Sequence, residues 1–291
     1  MIGKKHILLL LTTALLPLAG CVKDPGPVDG PGLPMQLEAS LAGDTKGGLT
    51  AADLTEFYLQ LHCDDTFYSY FGKVTGSGSE WAATKQLFWK DKTTPVSCSA
   101  AVFGDYAFTE DDFRDGVELA VPKDQSTESA LKGADLLTMS TKTLKYKDTD
   151  NGALSVELSH GLSKVNFVLT LEAIYYALDI SRGGNPVTQL KVMGVNRGFT
   201  FKPGTVTVKP DTRGNITAYA GDYTPSTSDH LTATATFEAI LVPQTFAVGE
   251  LRVSFTLVDV EFTWTNPSAI TLEPGKTYNL PLSVGIPKST K

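Results

Sequence analysis

Residues 154–171 read LSVELSHGLSKVNFVLTL. Leu154, Val156 and Leu158 alternate with Ser155, Glu157 and Ser159. After His160-Gly161 the alternation resumes with Val165, Phe167, Leu169 and Leu171. Side chains that repeat every second residue share one face of an extended strand, whereas a helix repeats near 3.6. The stretch therefore predicts two half-buried strands with a polar junction between them, and His160 is read as fixing that junction. The same period recurs on both sides. Met35, Leu37, Ala39 and Leu41 show it, as do Phe57, Leu59, Leu61 and Cys63. So do Leu251, Val253, Phe255 and Leu257, and then Leu280, Leu282, Val284 and Ile286.

Turn chemistry separates these runs. Asn151-Gly152 suits a tight hairpin and Pro274-Gly275 a type II turn. Helix signals are few: a turn at Ala51-Ala52-Asp53-Leu54 and the stretch LEAIYYAL, residues 171–178. Many short strands between polar turns predict an all-β chain built from β-sandwiches. The expected hairpin near residue 150 divides it into two tandem domains, 35–150 and 151–291.

Residues 1–20 predict an export signal. Lys4 and Lys5 precede an apolar run, Ile7 to Ala19, that is shorter than the ~20 residues of a membrane span. The run ends in Leu18-Ala19-Gly20-Cys21, the pattern of a bacterial lipoprotein signal, so Cys21 is the expected lipidation site. Acyl chains there would hold the protein to membrane lipid. Residues 22–34, VKDPGPVDGPGLP, are a proline- and glycine-rich tether, so 21–34 is not a core element. Later apolar runs are strand-sized.

Without residues 1–20 the chain carries 23 basic and 32 acidic side chains, a net charge of −9. That excess of acid argues against nucleic acid as a partner. Cys63 and Cys98 remain after Cys21, an even number in an oxidising compartment. They either pair as a disulfide or serve as two small buried apolar residues.

Chemistry-bearing patterns are scarce. His62, His160 and His230 lie far apart without metal-ligand spacing, and no H-E-x-x-H, G-x-S-x-G or P-loop occurs. Asp148-Thr149-Asp150-Asn151-Gly152 looks like part of a calcium loop, but its glycine comes one position early, and a turn explains it. Glu110-Asp111-Asp112 reads as a solvated loop. Trp81, Trp89, Tyr68 and Tyr70, near Gly76-Ser77-Gly78-Ser79, admit two readings: stacking on a sugar, or packing between strands. The chain is expected to be no enzyme, with no catalytic residue, cofactor or metal.

Several segments together resemble the fimbrillin family, the fimbrial subunits of anaerobic Gram-negative bacteria. They are Asp44-Thr45-Lys46-Gly47 before a strand ending FYLQL, Gln86-Leu87-Phe88-Trp89-Lys90 before VSCSAAVF, and Ala134-Asp135-Leu136-Leu137. LSHGLSKVNFVLTL, Ala239 to Gln244 (AILVPQ) and the closing LEPGKTYNLPLSV follow in order. The resemblance implies two transthyretin-like Greek-key β-sandwiches and assembly into type V pili at the outer membrane and cell surface. It implies other pilin subunits, a maturation protease and a host surface ligand as partners. It also implies cleavage between Lys46 and Gly47, loss of the first strand, and filling of the groove by a neighbour's strand. The family usually has arginine at the cut, and here stands Lys46. The donor expected from the sequence is the stretch with Leu280, Leu282, Val284 and Ile286. Its Pro281 and Pro287 lack an N–H and suit an edge strand or one that leaves its sheet. The competing expectation is a lipid-anchored adhesin or glycan-binding module that does not polymerise.

Overall fold

The computed structural model describes residues 32–43, 48–63, 69–172, 184–226, 232–257 and 260–284. The first strands are β1 (Leu33–Pro34), β2 (Gln36–Ala42), β3 (Glu56–Cys63), β4 (Ser69–Ser77), β5 (Glu80–Ala83), β6 (Phe88–Trp89) and β7 (Val96–Phe103). A short helix α1 (Glu110–Asp115), β8 (Val117–Ala120) and helix α2 (Glu128–Gly133) lead to β9 (Leu136–Leu144) and β10 (Ala153–His160). Hydrogen bonding closes seven of these strands into a barrel in the order β10-β2-β5-β4-β3-β7-β9. Phe57, Leu59, Leu61 and Cys63 alternate inward on β3, and Leu154, Val156 and Leu158 do so on β10. Burying each such side chain is worth about 1.5–3 kcal/mol, which fixes which face of each strand turns in.

The second set comprises β11 (Ser163–Glu172), β12 (Val187–Asn196), β13 (Gly198–Lys202), β14 (Thr205–Val208), β15 (Arg213–Thr217), β16 (Tyr219–Pro225), β17 (Thr232–Leu241), β18 (Thr245–Phe246), β19 (Arg252–Leu257), β20 (Val260–Thr265), β21 (Ile270–Thr271) and β22 (Thr277–Val284). Two four-stranded sheets form, β16-β17-β11-β22 and β15-β12-β19-β20. Phe167, Leu169 and Phe237 of one share a core with Val192, Val253 and Phe255 of the other.

The two sets are joined by more than the chain. Ala101 and Phe103 of β7 and Leu136 of β9 belong to the same buried cluster as the second set. A third sheet, β14-β13-β8, mixes strands from both halves. The described residues accordingly form one compact unit.

The structure differs from the sequence expectations at the mid-chain turn. Asn151 and Gly152 both have positive φ, 49° and 83°, as a tight turn requires. The strand that follows, however, pairs in parallel with β2 along its whole length and meets β9 only at Ser159 and His160. The turn is therefore not a hairpin, and the passage between the two sets falls at Gly161-Leu162. Residues 51–53 form a turn, closed by the Asp53 N–H on Thr50 O. Of LEAIYYAL, residues 171–172 end β11, and the rest lies outside the described residues.

Candidate functional site

The strands that bear on assembly, β2 and β22, have matching placements. β2 lies parallel to β10 over seven register pairs, from Gln36 beside Ala153 to Ala42 beside Ser159. Its other side meets β5 at one pair, Leu37 and Trp81. β22 lies parallel to β11 over eight pairs, from Thr277 beside Lys164 to Val284 beside Leu171. β10 and β11 are consecutive in the chain, so the two parallel strands are held on either side of one short junction. Each presents apolar side chains at every second position. Met35, just before β2, and Leu37 on it are buried, and Leu282 is buried with Leu280 packed against the core on β22. β22 is the edge of its sheet. Pro281 fits there, because an edge strand leaves half its backbone groups outside the ladder.

The junction is built on Asp135. Its carboxylate is 1% exposed. Oδ2 accepts the Leu49 N–H at 3.0 Å and lies 2.8 Å from Nδ1 of His160. Leu49, the residue just before β9 and the end of β10 are thus tied at one oxygen. The turn before β22 closes on the same place. Gly275 N–H donates to Leu162 O, Lys164 N–H to Lys276 O, and the Ser163 hydroxyl to Glu273 O. Gly275 sits at φ 68°, and Lys276 N–H reaches back to Glu273 O, the type II turn expected of Pro274-Gly275. A Cβ at residue 275 would lie 3.1 Å from His160 O. Lys164, only 3% exposed, has its ammonium 3.2 Å from Glu238, close enough to balance charge but without hydrogen-bond alignment. Gln125, fully buried, spans the backbone of Ile240 by giving its amide N–H to the carbonyl and accepting the N–H.

The expected site residues distribute as follows. Cys21, Lys46, Gly47 and Ile286 lie outside the described residues. Leu280, Leu282 and Val284 lie on β22, in a sheet of their own chain. Cys63 and Cys98 are buried thiols on the neighbouring strands β3 and β7. Cys63 stands opposite Val96 and Cys98 opposite Leu61, so the two cysteines are diagonal neighbours. Such pairs are about 7–8 Å apart, beyond the span of a disulfide. Burial pushes the Cys98 thiol up to about 11.

The aromatic residues of the first half pack. Trp89 is fully buried and its indole N–H donates to Gly152 O at 2.9 Å. Trp81 tilts against Phe57, 5.2 Å between ring centres, and Tyr70 is 3% exposed. Tyr68 lies outside the described residues. Among those described, no cluster of His, Cys, Asp and Glu has metal-binding arrangement. No helix there is long and apolar enough to cross a membrane. Glu110-Asp111-Asp112, expected as a loop, opens α1. Thr109 caps it in a reciprocal pair with Asp112, and acids in a first turn complement the helix dipole. The sequence Thr109-x-x-Asp112 carried that signal.

The fimbrillin-like family model matches residues 55–291. The chain belongs to the fimbrillin-like family. Solved structures similar to this fimbrillin-like chain agree on the fold. A protein of Bacteroides ovatus assigned to cell adhesion aligns over 87% of this chain and 93% of its own, with 11% identity and a TM-score of 0.62. Another of Bacteroides uniformis, similarly assigned, aligns over 90% and 95%, with 14% identity and a TM-score of 0.58. No curated protein matches the chain. The fimbrillin-like architecture gives Asp135 and His160 a place that spacing could not show, because Asp135 and Leu49 are 86 residues apart.

Proposed function

We propose that the chain is a structural subunit of a cell-surface fimbria of the type V pilus kind, mediating adhesion and joined to its neighbours by strand exchange. In this reading it is exported and held at the outer membrane through acylated Cys21, with two transthyretin-like Greek-key β domains. A maturation protease cuts after Lys46 and frees β2. The β22 segment of a neighbouring subunit then enters the vacated place beside β10.

The observation that carries the proposal is the match between β2 and β22. Both alternate apolar side chains with period two, and both run parallel to the strand they pair with. A β22 segment could replace β2 without reversing direction. Among the described residues, β22 has a neighbour on one side only in its own sheet. The place left by β2 is flanked by both β10 and β5. Moving from a one-sided to a two-sided position adds main-chain pairing and apolar burial, which is the driving force of strand addition. Cleavage supplies the vacancy, because an uncut chain fills that place itself.

Cysteines at Ser283 and at Ser155 on β10 test the exchange. Crosslinks between subunits after trypsin cleavage support it. Crosslinks absent between subunits, or polymers that persist when residues 280–291 are deleted, overturn it.

The seating of β22 in its own sheet, together with lysine at residue 46, favours a second reading: a lipid-anchored monomeric adhesin. Mass spectrometry of surface-extracted protein separates the two. Polymerisation requires a mature terminus at Gly47, and the monomer a lipidated Cys21.

A further inference from the structure

Among the described residues, two large apolar side chains stand open to solvent: Val260 is 55% exposed and Val248 is 67% exposed. They lie at opposite ends of one strand. Val260 opens β20. Val248 sits on a turn fastened to Asn266, the residue after β20. Gly249 N–H donates to Asn266 O, and the Asn266 side-chain N–H donates to Ala247 O. Between these ends, Phe262 and Trp264 are half-buried on the same face as Val260. They stand opposite Phe255 and Val253, and the Phe262 ring stacks on Phe255 with 5.5 Å between centres. The result is an apolar stripe along β20, roughly 20 Å long at the rise of a strand.

Among the described residues β20 is also the edge of its sheet. A bare edge ladder can pair with another strand, and proteins blunt such edges with proline, basic side chains or bulges. The other edges of the two four-stranded sheets carry these devices. β22 has Pro281, and β16 has Pro225 and a register shift between Ala220 and Tyr223. β15 has Arg213 and a register shift against β12. β20 has no proline, basic residue or bulge. Its residues, VEFTWT, pair with β19 without a shift, and its single charge is Glu261. Apolar exposure and an unguarded ladder coincide on one edge, and exposed apolar patches mark places of association.

We propose that β20 pairs antiparallel with β20 of a second copy of this chain, with Thr263 opposite Thr263. Residues of like parity then face each other, which keeps the two apolar faces on one side. The strand is complementary to itself in this register, as a two-fold interface requires. Phe262 of each copy meets Trp264 of the other, an aromatic cross-strand pair made twice. Glu261 meets Thr265, so like charges do not stand opposite. Val260 of each copy meets Asn266 of the other, beside the turn that carries Val248. The register thus brings the exposed valine at one end of the strand to the exposed valine at the other. One short strand from each copy makes a small interface, so the dimer is a reversible one. The pairing does not depend on strand exchange, since β20 stays in its own sheet.

Disulfide crosslinking of the detergent-solubilised full chain tests the pairing. Cys63 and Cys98 are buried, and Glu261, Thr263 and Thr265 are exposed, so changes at these three positions spare the core. Thr263→Cys should crosslink with itself into a dimer. Thr265→Cys should not crosslink with itself, but should do so when mixed with Glu261→Cys. Adding Thr263→Lys to both members of that mixture sets two ammonium groups opposite each other and should cut the mixed crosslink about tenfold. Absence of a dimer with Thr263→Cys, equal self-crosslinking of Thr263→Cys and Thr265→Cys, or a mixed crosslink indifferent to Thr263→Lys overturns the proposal. Preferential crosslinking of Thr263→Cys to Ser283→Cys also overturns it and makes β20 a seat for the last strand of a neighbour.

Discussion

Asp135 Oδ2 and His160 Nδ1 stand 2.8 Å apart where the end of β10 meets the segment after Gly48. Both side chains are at least 95% buried. Removing one partner leaves the other in a site that water does not reach. His160→Ala should therefore cost about 2 kcal/mol in urea unfolding, from the lost hydrogen bond and packing. Replacing both residues should cost less than the sum of the two single changes, because both single changes lose the same hydrogen bond. Additive losses would show that the pair does not act as a unit.

Gly204 closes the β13–β14 hairpin at φ 75°, and its N–H donates to Thr138 Oγ1 at 3.0 Å. A Cβ there would strike Ser140 Oγ and lie 2.7 Å from Ser140 Cα. Side-chain rotation can relieve the first contact but not the second. Gly204→Ala should destabilise the protein by about 2 kcal/mol or more, from left-handed backbone and clash together. A change below about 0.5 kcal/mol in thermal or urea unfolding would mean that the hairpin does not rest on β9.

Asp53 has its carboxyl lowered to about 2 by hydrogen bonds from Lys132 and Thr50. A depressed carboxyl stabilises the folded state above its unfolded value near 3.9, and that stability fades as pH falls toward 2. The pair is partly solvated, so its contribution is about 1 kcal/mol after screening. Asp53→Asn should lose that amount at pH 6 and show a flatter stability profile between pH 4 and 2. Profiles of the same slope would remove Asp53 from the acid response.

Cys63 and Cys98 are buried thiols in diagonal register. In native buffer neither should react with iodoacetamide within an hour, since burial holds Cys98 protonated and the thiolate is the reacting form. In denaturant without reductant both should alkylate. A mass showing two unmodified, linked cysteines would place a disulfide across β3 and β7.

Much of the fold was legible because burial imposes its period on the sequence. Leu154, Val156 and Leu158, or Leu59 and Leu61, could face one core only as strands. Partner and direction were not legible. Parallel and antiparallel neighbours demand the same alternation, so nothing in Met35 to Leu41 revealed that β2 runs along β10. Asn151-Gly152 has the conformation that its residues prefer, yet the strand after it pairs elsewhere. The junction escaped for a different reason. The hydrogen bonds of Asp135 reach residues 25 and 86 positions away, and no local pattern encodes such reach.

The parallel placement of β2 on β10 and of β22 on β11 also decides how the molecule bears tension. A pull on the start of β2 is resisted through the far end of β10, where the chain passes to β11. A pull on the end of β22 is resisted through the beginning of β11. In both ladders the force enters at opposite ends of two strands pointing the same way. Every hydrogen bond in the ladder is then loaded at once in shear, and none can be peeled open ahead of the next. A chain drawn out by its two ends meets its strongest mechanical resistance at the two strands where it is gripped.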